Sequence, residues 1–574
     1  MRLLTSRWAE FGDEDRGALE MRICEGMPRE LSPADGFDDD QWESLNDGGV
    51  FGRLKRIEAS GGVLSADTVA RIDSMSQRHP QWVASPGDRD DFHIWQGEVV
   101  RGPRGHPELL SGIADDRLVQ EAMRLREEQY FAESDLWSVF CQADPDRALR
   151  GLQARAQNGD WDKAAWEGLL WAAHQKGEAQ FQHELADTLL QAPKVAVNPF
   201  LAATVAWLQQ RREVLSNPDQ AGGPRYFKLW DKLADLAYSA AENDDPQQSN
   251  RDPDLLNISW GQPGGKLAWT LCEKLRWSDP APGCGLGPEF RPRFDRAVDA
   301  PGKPGLLARV ALSQRLDYLD RVDAAWTAEK LVPRFAWTDP DAAALWHARA
   351  YDGIGSPELF NALKRAFLQI FPRRDLSRQQ LEGLVGHLLQ AALWHRQNDG
   401  GGYNLTSAEA KGALSIGPPQ VRHWASSQLW RWAARGLLLE RAEHWLALFG
   451  PLFRDIWPLD AHLRDEESSR NLVLMALAVD ASFSDAVDAI ADLIVPYKID
   501  LLAQSLLLQP EHATLVARYP RPFLRLTSAL IDPALYPVPS DLGPLLQRCA
   551  DADPGCRSEP TYIRLYGLSR RRAA

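Results

Sequence analysis

The stretch from Ser377 to Gly436 constrains the fold more than any other part of the chain. It divides into three amphipathic helices, each with its own start and stop signals. The first helix begins at a Ser-x-x-Gln capping box formed by Ser377 and Gln380. Its apolar residues recur at three- and four-residue steps on one face: Leu381, Leu384, Val385, Leu388, Leu389 and Ala392. A helix with one apolar face has to be covered by neighbouring helices.

Two further helices follow in the same stretch. Thr406 and Glu409 form a second capping box, and Pro418-Pro419 ends that helix and opens the next one. The third helix has its own apolar face: Val421, Trp424, Leu429 and Trp432. Three such helices in succession predict stacked helical hairpins.

The helical pattern continues through most of the 574 residues, with Pro, Gly and Asn at the junctions and no repeat of fixed period. We therefore predict a mainly all-α fold, an irregular α-solenoid of stacked helical hairpins that is similar in kind to HEAT and tetratricopeptide arrays. Three regions are predicted. Residues 1–110 form an irregular mixed N-terminal segment, residues 111–300 a helical hairpin region, and residues 301–574 a C-terminal α-helical solenoid.

The first region is the least regular because glycine and proline pairs interrupt it. Gly48-Gly49 is one such predicted break. One helix is predicted after Ser65, and short extended pieces are predicted around Phe92–Trp95 and at Val99-Val100.

Composition and charge exclude several classes of protein. The formal net charge of −15 argues against a chain that binds and coats nucleic acid through general positive potential, since phosphate contacts need clustered Lys and Arg, while a local basic groove stays open. No apolar run reaches the ~18 residues of a membrane span, and the N-terminus lacks the apolar core of a secretion signal. Six cysteines without C-x-x-C spacing favour a reducing, cytoplasmic location, with Cys549 and Cys556 as free thiols. The 22 Trp are interpreted first as core packing.

Two glycine-rich stretches resemble nucleotide loops only in part. In Gly261–Leu267 a phosphate loop would need Gly at Trp260 and Ser or Thr at Leu267, so we predict a turn that feeds a helix. Gly283–Gly287 lacks the spacing and the preceding strand of a dinucleotide site, and we interpret it as a flexible turn. It belongs to a Gly- and Pro-rich segment, Trp277–Pro304, that we predict to be a long loop.

Histidines are the remaining candidates for chemistry, and a metal site could be assembled from five of them: His387, His395, His423, His444 and His462. Metal-binding pairs on one helix usually lie three or four residues apart, and no H-x-x-x-H occurs here. We therefore interpret these residues as structural. The sequence assigns no catalytic, cofactor-binding or metal-binding residue and no cofactor.

A set of structural landmarks points to a family: Asp144–Leu149 with Trp166–Ala172, the Pro263–Ala268 turn, Trp326-Thr327 with Leu331–Pro333, and Phe483–Val487 with Val495-Pro496. Their order resembles the helical C-terminal region of bacterial sirtuin-like (SIR2-type) anti-phage defence proteins. In that family the sirtuin-like domain is the part expected to consume NAD, and it is missing here. No Gly-Ala-Gly-x-Ser stretch occurs, and Gln397-Asn398-Asp399 lacks the Asn-x-Asp spacing, so no catalytic residue carries over. The resemblance implies a sensor, scaffold or oligomerisation module with a separate effector.

These observations lead to one hypothesis and two alternatives. We predict a non-enzymatic α-helical scaffold or sensor of bacterial anti-phage defence, which binds an effector or a phage protein and regulates the effector. One alternative is a stand-alone enzyme acting on NAD or nucleic acid, with an unrecognised site in the first 110 residues. The other is a general peptide-binding helical repeat protein. Oligomerisation stays open in each case.

Overall fold

The fold was obtained as a computed structural model. It describes residues 7–26, 39–80, 82, 107–127, 136–175, 178–216, 224–239, 255–374, 376–397, 402–435, 441–497, 514–531 and 538–570. Helices and turns are the only elements within these ranges, so the all-α prediction is confirmed. The chain divides into two compact units, Met1–Ala240 and Ala241–Ala574. The boundaries near residues 110 and 300 and the solenoid arrangement stay predictions.

The helices of the first unit follow the apolar stripes of the sequence. Within the described ranges they are α1 (Asp13–Glu25), α2 (Asp39–Ala59), α3 (Ala66–Arg78), α4 (Asp115–Glu127), α5 (Leu136–Ala143), α6 (Pro145–Gln157), α7 (Lys163–Gln175), α8 (Ala179–Gln191), α9 (Lys194–Val197), α10 (Leu201–Gln210), α11 (Arg212–Leu215) and α12 (Tyr226–Ser239). Four tryptophans fill the core of this unit: Trp137, Trp166, Trp207 and Trp230. Some of their indole N–H groups make hydrogen bonds. For example, Trp207 Nε1 donates to Gln182 Oε1 at 2.7 Å.

The N-terminal segment is more helical than predicted. The break at Gly48-Gly49 is wrong, because α2 runs through both glycines. The next turns of α2 bury Val50, Phe51 and Leu54 against α3, and this burial outweighs the ~1 kcal/mol that each glycine costs a helix. The helix after Ser65 is confirmed, since the Ser65 side chain caps it by accepting from the Thr68 N–H. The extended pieces predicted at 92–95 and 99–100 lie outside the described residues.

The second unit consists of helices as well, with short 3₁₀ turns between them. Over the part that the structure describes they are α13 (Leu255–Gly261), α14 (Pro263–Trp277), α15 (Arg291–Asp299), α16 (Gly302–Ser313), α17 (Leu316–Val322), α18 (Ala324–Lys330), α19 (Ala342–Arg349), α20 (Pro357–Leu368), α21 (Arg378–Gln397), α22 (Ser407–Ile416), α23 (Pro419–Arg435), α24 (Arg441–His444), α25 (Gly450–Ile456), α26 (Glu466–Ala478), α27 (Phe483–Ile490), α28 (Leu515–Arg518), α29 (Pro520–Leu530), α30 (Leu542–Ala552) and α31 (Pro560–Arg570). A π-helical turn, Trp445–Phe449, connects α24 to α25.

Both predicted capping boxes are confirmed. At the start of α21, Ser377 Oγ accepts from the Gln380 N–H at 3.4 Å and Gln380 Oε1 accepts from the Ser377 N–H at 2.6 Å. Thr406 and Glu409 make the equivalent pair of bonds at the start of α22. The apolar stripe of α21 is buried over its whole length. Local signals therefore placed these helices correctly.

The prediction of one long loop over Trp277–Pro304 is wrong. Residues 278–290 are turns, but α15 follows and buries Phe294, whose ring lies 5.5 Å from that of Trp326. Proline is tolerated in the first turn of a helix, where its missing N–H has no partner to lose. The high Pro content was therefore compatible with a helix.

No helix among the described residues is long and apolar enough to cross a membrane.

Candidate functional site

A concave groove of about 480 Å³ lies in the second unit. Its walls come from α13, from the turns that follow α16 and α19, and from the start of α21. We call it the aromatic groove and define it by its lining residues: Leu256, Asn257, Trp260, Gln314, Arg315, His347, Tyr351, Asp352 and Gln379. Four separate segments of the chain contribute, so no single sequence motif marks the site.

Two large aromatic side chains of the groove are open to solvent. Trp260 is 43% exposed and Tyr351 is 51% exposed, whereas most aromatic residues of this unit are buried. Each ring is fixed by a glutamine. Trp260 Nε1 donates to Gln314 Oε1 at 3.2 Å, and the Tyr351 hydroxyl donates to Gln379 Oε1 at 3.1 Å. We call these the two aromatic–glutamine pairs.

Neighbouring rings and charges support the two pairs. The ring of Trp269 stands edge-on to that of Trp260 at 6.2 Å between centroids, and the Arg315 guanidinium stacks over Trp269 at 4.1 Å. On the other side, the Asp352 carboxylate accepts from the buried Arg349 at 2.7 Å. The negative charge of Asp352 is therefore paired, while the positive charge of Arg315 lies against an aromatic face.

A buried histidine holds the turn that carries Tyr351 and Asp352. His387 Nε2 donates to the Asp352 carbonyl at 2.8 Å. Burial lowers the pKa of His387 to about 4, so this side chain is neutral at pH 7. This hydrogen bond gives the buried His387 side chain a structural role at the turn.

The same turn contains a glycine that no other residue could replace without strain. Gly355 has a φ of +92°, and a Cβ there would lie 2.7 Å from Asp317 Oδ1. Its carbonyl accepts from the Tyr403 hydroxyl. Asp317 in turn accepts from Arg349 at 2.5 Å, and burial raises the pKa of Asp317 in spite of that cation. The groove is thus supported by a fixed buried network.

A larger cleft, about 710 Å³, lies elsewhere in the second unit and contains His423. His423 Nε2 is 2.7 Å from Asp465 Oδ1, and Nδ1 is 3.5 Å from Glu467 Oε2. Burial would raise the pKa of Asp465, but hydrogen bonds from His423 and Ser468 bring it below the usual value. Asp465 also caps α26 by accepting from the Ser468 N–H. A carboxylate thus faces each ring nitrogen of His423, and through Asp465 this side chain supports the cap of α26.

The other candidate histidines are dispersed. His395 Nδ1 contacts the Tyr403 carbonyl at 2.7 Å, His444 is buried against Phe449, and His462 is exposed. No group of three or more His, Cys, Asp or Glu that could hold a metal occurs in the described ranges. Cys549 and Cys556 are both buried thiols.

The stretch that resembles a phosphate loop is a packing contact. Gln262 precedes α14 and the helix buries Leu267, as the predicted turn and helix require. A Cβ at Gly265 would lie 2.2 Å from the Ser259 carbonyl oxygen, and one at Gly264 would lie 2.6 Å from the Pro304 carbonyl oxygen. These two glycines let α14 approach α13 and α16 closely, and we call this contact the glycine crossing. The Gly283–Gly287 turn is held by backbone bonds to residues 321 and 322.

Sequence reasoning did not single out the aromatic groove. The sequence analysis considered Trp260 only because it stands where a phosphate loop needs glycine. It did not consider Gln314, Tyr351 or Gln379. The available signal was weak: Trp260 and Tyr351 stand at the ends of helices, next to glycine-containing turns, where a buried packing role is less common.

The comparisons with known proteins give a distant relative. No family model and no solved structure matches the chain. It is 22% identical over 568 residues to a protein described as "Uncharacterized protein y4cA" from Sinorhizobium fredii (strain NBRC 101917 / NGR234). The match covers 96% of this chain and 45% of the relative, so the chain spans less than half of that protein's length.

Proposed function

We propose that this chain is a non-enzymatic α-helical scaffold or sensor that binds a protein partner through the aromatic groove. The observation that carries the proposal is the pair of exposed aromatic rings, Trp260 and Tyr351, each fixed by a glutamine in a concave surface. Exposed aromatic side chains in a preformed pocket are typical of binding sites, where Trp and Tyr supply most of the affinity. Their fixed orientation reduces the entropy that binding removes.

The groove is equipped for binding rather than for a reaction. Its lining is largely aromatic and amide, its carboxylate accepts a hydrogen bond from Arg349, and its histidine is buried against Tyr351. Catalysis would need a nucleophile or base held beside a reactive position, with a third group to orient it. The described lining residues offer no such arrangement.

The biological setting follows from the family resemblance. We place the protein in the cytoplasm as part of bacterial anti-phage defence, where the partner is an effector or a phage protein. The helices would stack as an irregular solenoid, which supplies an extended surface for protein binding. Binding at the groove would then regulate the separate effector.

The test compares variants purified from the native host, with and without phage. We expect a partner to co-purify with the wild-type chain and to be lost with Trp260→Ala. Trp277→Ala is the matched control, because Trp277 is also exposed, at 49%, and does not line the groove. Turnover of NAD or nucleic acid by the purified chain alone would contradict the proposal.

A further inference from the structure

The amide groups of the aromatic groove show which hydrogen bonds its ligand must make. A Trp indole can only donate, so the atom of Gln314 that faces Trp260 Nε1 is the carbonyl oxygen. The Gln379 carbonyl oxygen likewise accepts from Tyr351. Neither glutamine makes another hydrogen bond within the described residues, so each side-chain NH₂ group keeps its donors for a ligand.

Several acceptors of the groove already receive a hydrogen bond. The two glutamine oxygens accept from the aromatic side chains, and the Asp352 carboxylate accepts from Arg349. Arg315, which stacks on Trp269, adds further donors. The groove therefore presents more donors than acceptors, and a complementary ligand presents acceptors.

This imbalance distinguishes between ligand classes. Sugar hydroxyl groups and peptide strands with free N–H groups need acceptors as well as donors. A proline-containing segment in the extended polyproline II conformation exposes its carbonyl oxygens, and each proline lacks an N–H. Its ring can also pack against an aromatic face, as in other aromatic-lined grooves for proline-rich peptides. Trp260 and Tyr351 provide two such faces.

Two of the helix ends at the groove disfavour polyanions. Gln314 and Arg315 directly follow α16, and Tyr351 and Asp352 follow the end of α19. The C-terminal end of a helix carries a partial negative charge, so these two ends disfavour phosphate groups, whereas the start of α21 at Gln379 carries the opposite partial charge. A volume of about 480 Å³ suits a short segment rather than a folded domain.

We infer that the aromatic groove binds an extended, proline-containing segment of a partner protein, with the carbonyl oxygens of that segment accepting from the Gln314 and Gln379 amides. This inference rests on the proposed function, because it names the ligand class of the same groove.

The test uses the full chain on an array of peptides that contain Pro-x-x-Pro in varied contexts. Each peptide is paired with a copy in which every proline is replaced by alanine, and the hits are measured again by fluorescence anisotropy. We expect the alanine copies to bind with about tenfold or more lower affinity than the proline peptides. Trp260→Ala should lower the affinity for the proline peptides by a similar factor. Gln314→Leu combined with Gln379→Leu removes the donors at nearly constant volume and is expected to weaken binding, whereas Trp277→Ala leaves it unchanged.

Other outcomes separate this inference from the proposed function. Equal binding of proline and alanine copies, or selective binding of oligosaccharides or single-stranded nucleic acid included as probes, overturns the inference. If the native partner still depends on Trp260 while no proline peptide binds, the proposed function stands and the inference fails. If the partner is retained by Trp260→Ala, both fail.

Discussion

The glycine crossing and the aromatic groove both involve α13, and the crossing lies at the start of α16 while the groove lies beyond its end. At the crossing, Gly264 and Gly265 bring backbones so close that no side chain fits between them. At the groove, Trp260 and Tyr351 keep large rings in solvent. The part of the sequence that most resembles a nucleotide motif is thus closed by packing, and the open surface has no motif at all. The proposed binding site therefore rests on exposed aromatic side chains rather than on glycine density.

The largest expected effect lies at the crossing. In Gly265→Ala the new Cβ would meet the Ser259 carbonyl oxygen at 2.2 Å, so a backbone has to move. We expect a loss of about 3 kcal/mol in the free energy of unfolding, because such overpacking exceeds the ~1 kcal/mol that alanine gains in a helix. Urea unfolding measures it. Gly261→Ala is the control, since nothing lies within 4 Å of a Cβ at that position. Equal stability of the two variants would show that the close contact at Gly265 does not limit the fold.

The second effect is the pH dependence of the free energy of unfolding that arises from His387, which holds the turn of Tyr351 and Asp352. The folded pKa of His387 is about 4, below the 6.5 of the free side chain. The unfolded chain therefore binds a proton more readily, and stability that is full above pH 6.5 falls as the pH drops towards 4. The loss between about pH 7 and pH 4 should be about 3 kcal/mol, at 1.36 kcal/mol per unit of pKa.

His387→Gln should remove this part of the pH dependence, which urea unfolding at several pH values would show. His462→Gln, at an exposed position, is the matched control and should keep the wild-type slope. A wild-type slope in His387→Gln would mean that the buried imidazole does not carry the acid sensitivity.

The third effect separates binding from stability within the groove. Trp260 is 43% exposed, so Trp260→Ala should cost about 1 kcal/mol or less in unfolding free energy. Trp346→Ala, at a fully buried ring, should cost about 3–5 kcal/mol. Binding of the partner should nevertheless fall about tenfold or more with Trp260→Ala. A large loss of stability in Trp260→Ala would instead make that ring a packing residue.

The smallest effect tests one aromatic–glutamine pair. Tyr351→Phe keeps the ring and removes the hydroxyl that donates to Gln379. Because a single exposed hydrogen bond contributes about 0.5–1.5 kcal/mol, we expect binding to weaken about threefold with unfolding unchanged. Isothermal titration calorimetry with the partner measures this, and unchanged affinity would show that the ring needs no hydrogen bond to hold it.

Features that depend on neighbouring residues in the chain were predictable. The capping boxes at Ser377 and Thr406 and the buried stripe of α21 follow from spacing alone. The helix through Gly48-Gly49 was missed because packing against α3, distant in sequence, decides it. The groove was missed for the same reason: its lining comes from four segments, and only the tertiary fold brings Trp260 beside Gln314.

The most direct test of the central claim is photo-crosslinking from the rim of the groove. A photoreactive amino acid replaces Asn257, which is exposed and lines the groove, and a second variant carries it at Val195, which is 81% exposed in the first unit. Both are expressed in the native host with phage, irradiated and analysed by mass spectrometry. We expect position 257, and not position 195, to crosslink one protein through a defined segment. Crosslinks of equal yield from both positions, or none from 257 while a partner still co-purifies, would contradict the assignment of the aromatic groove as the binding site.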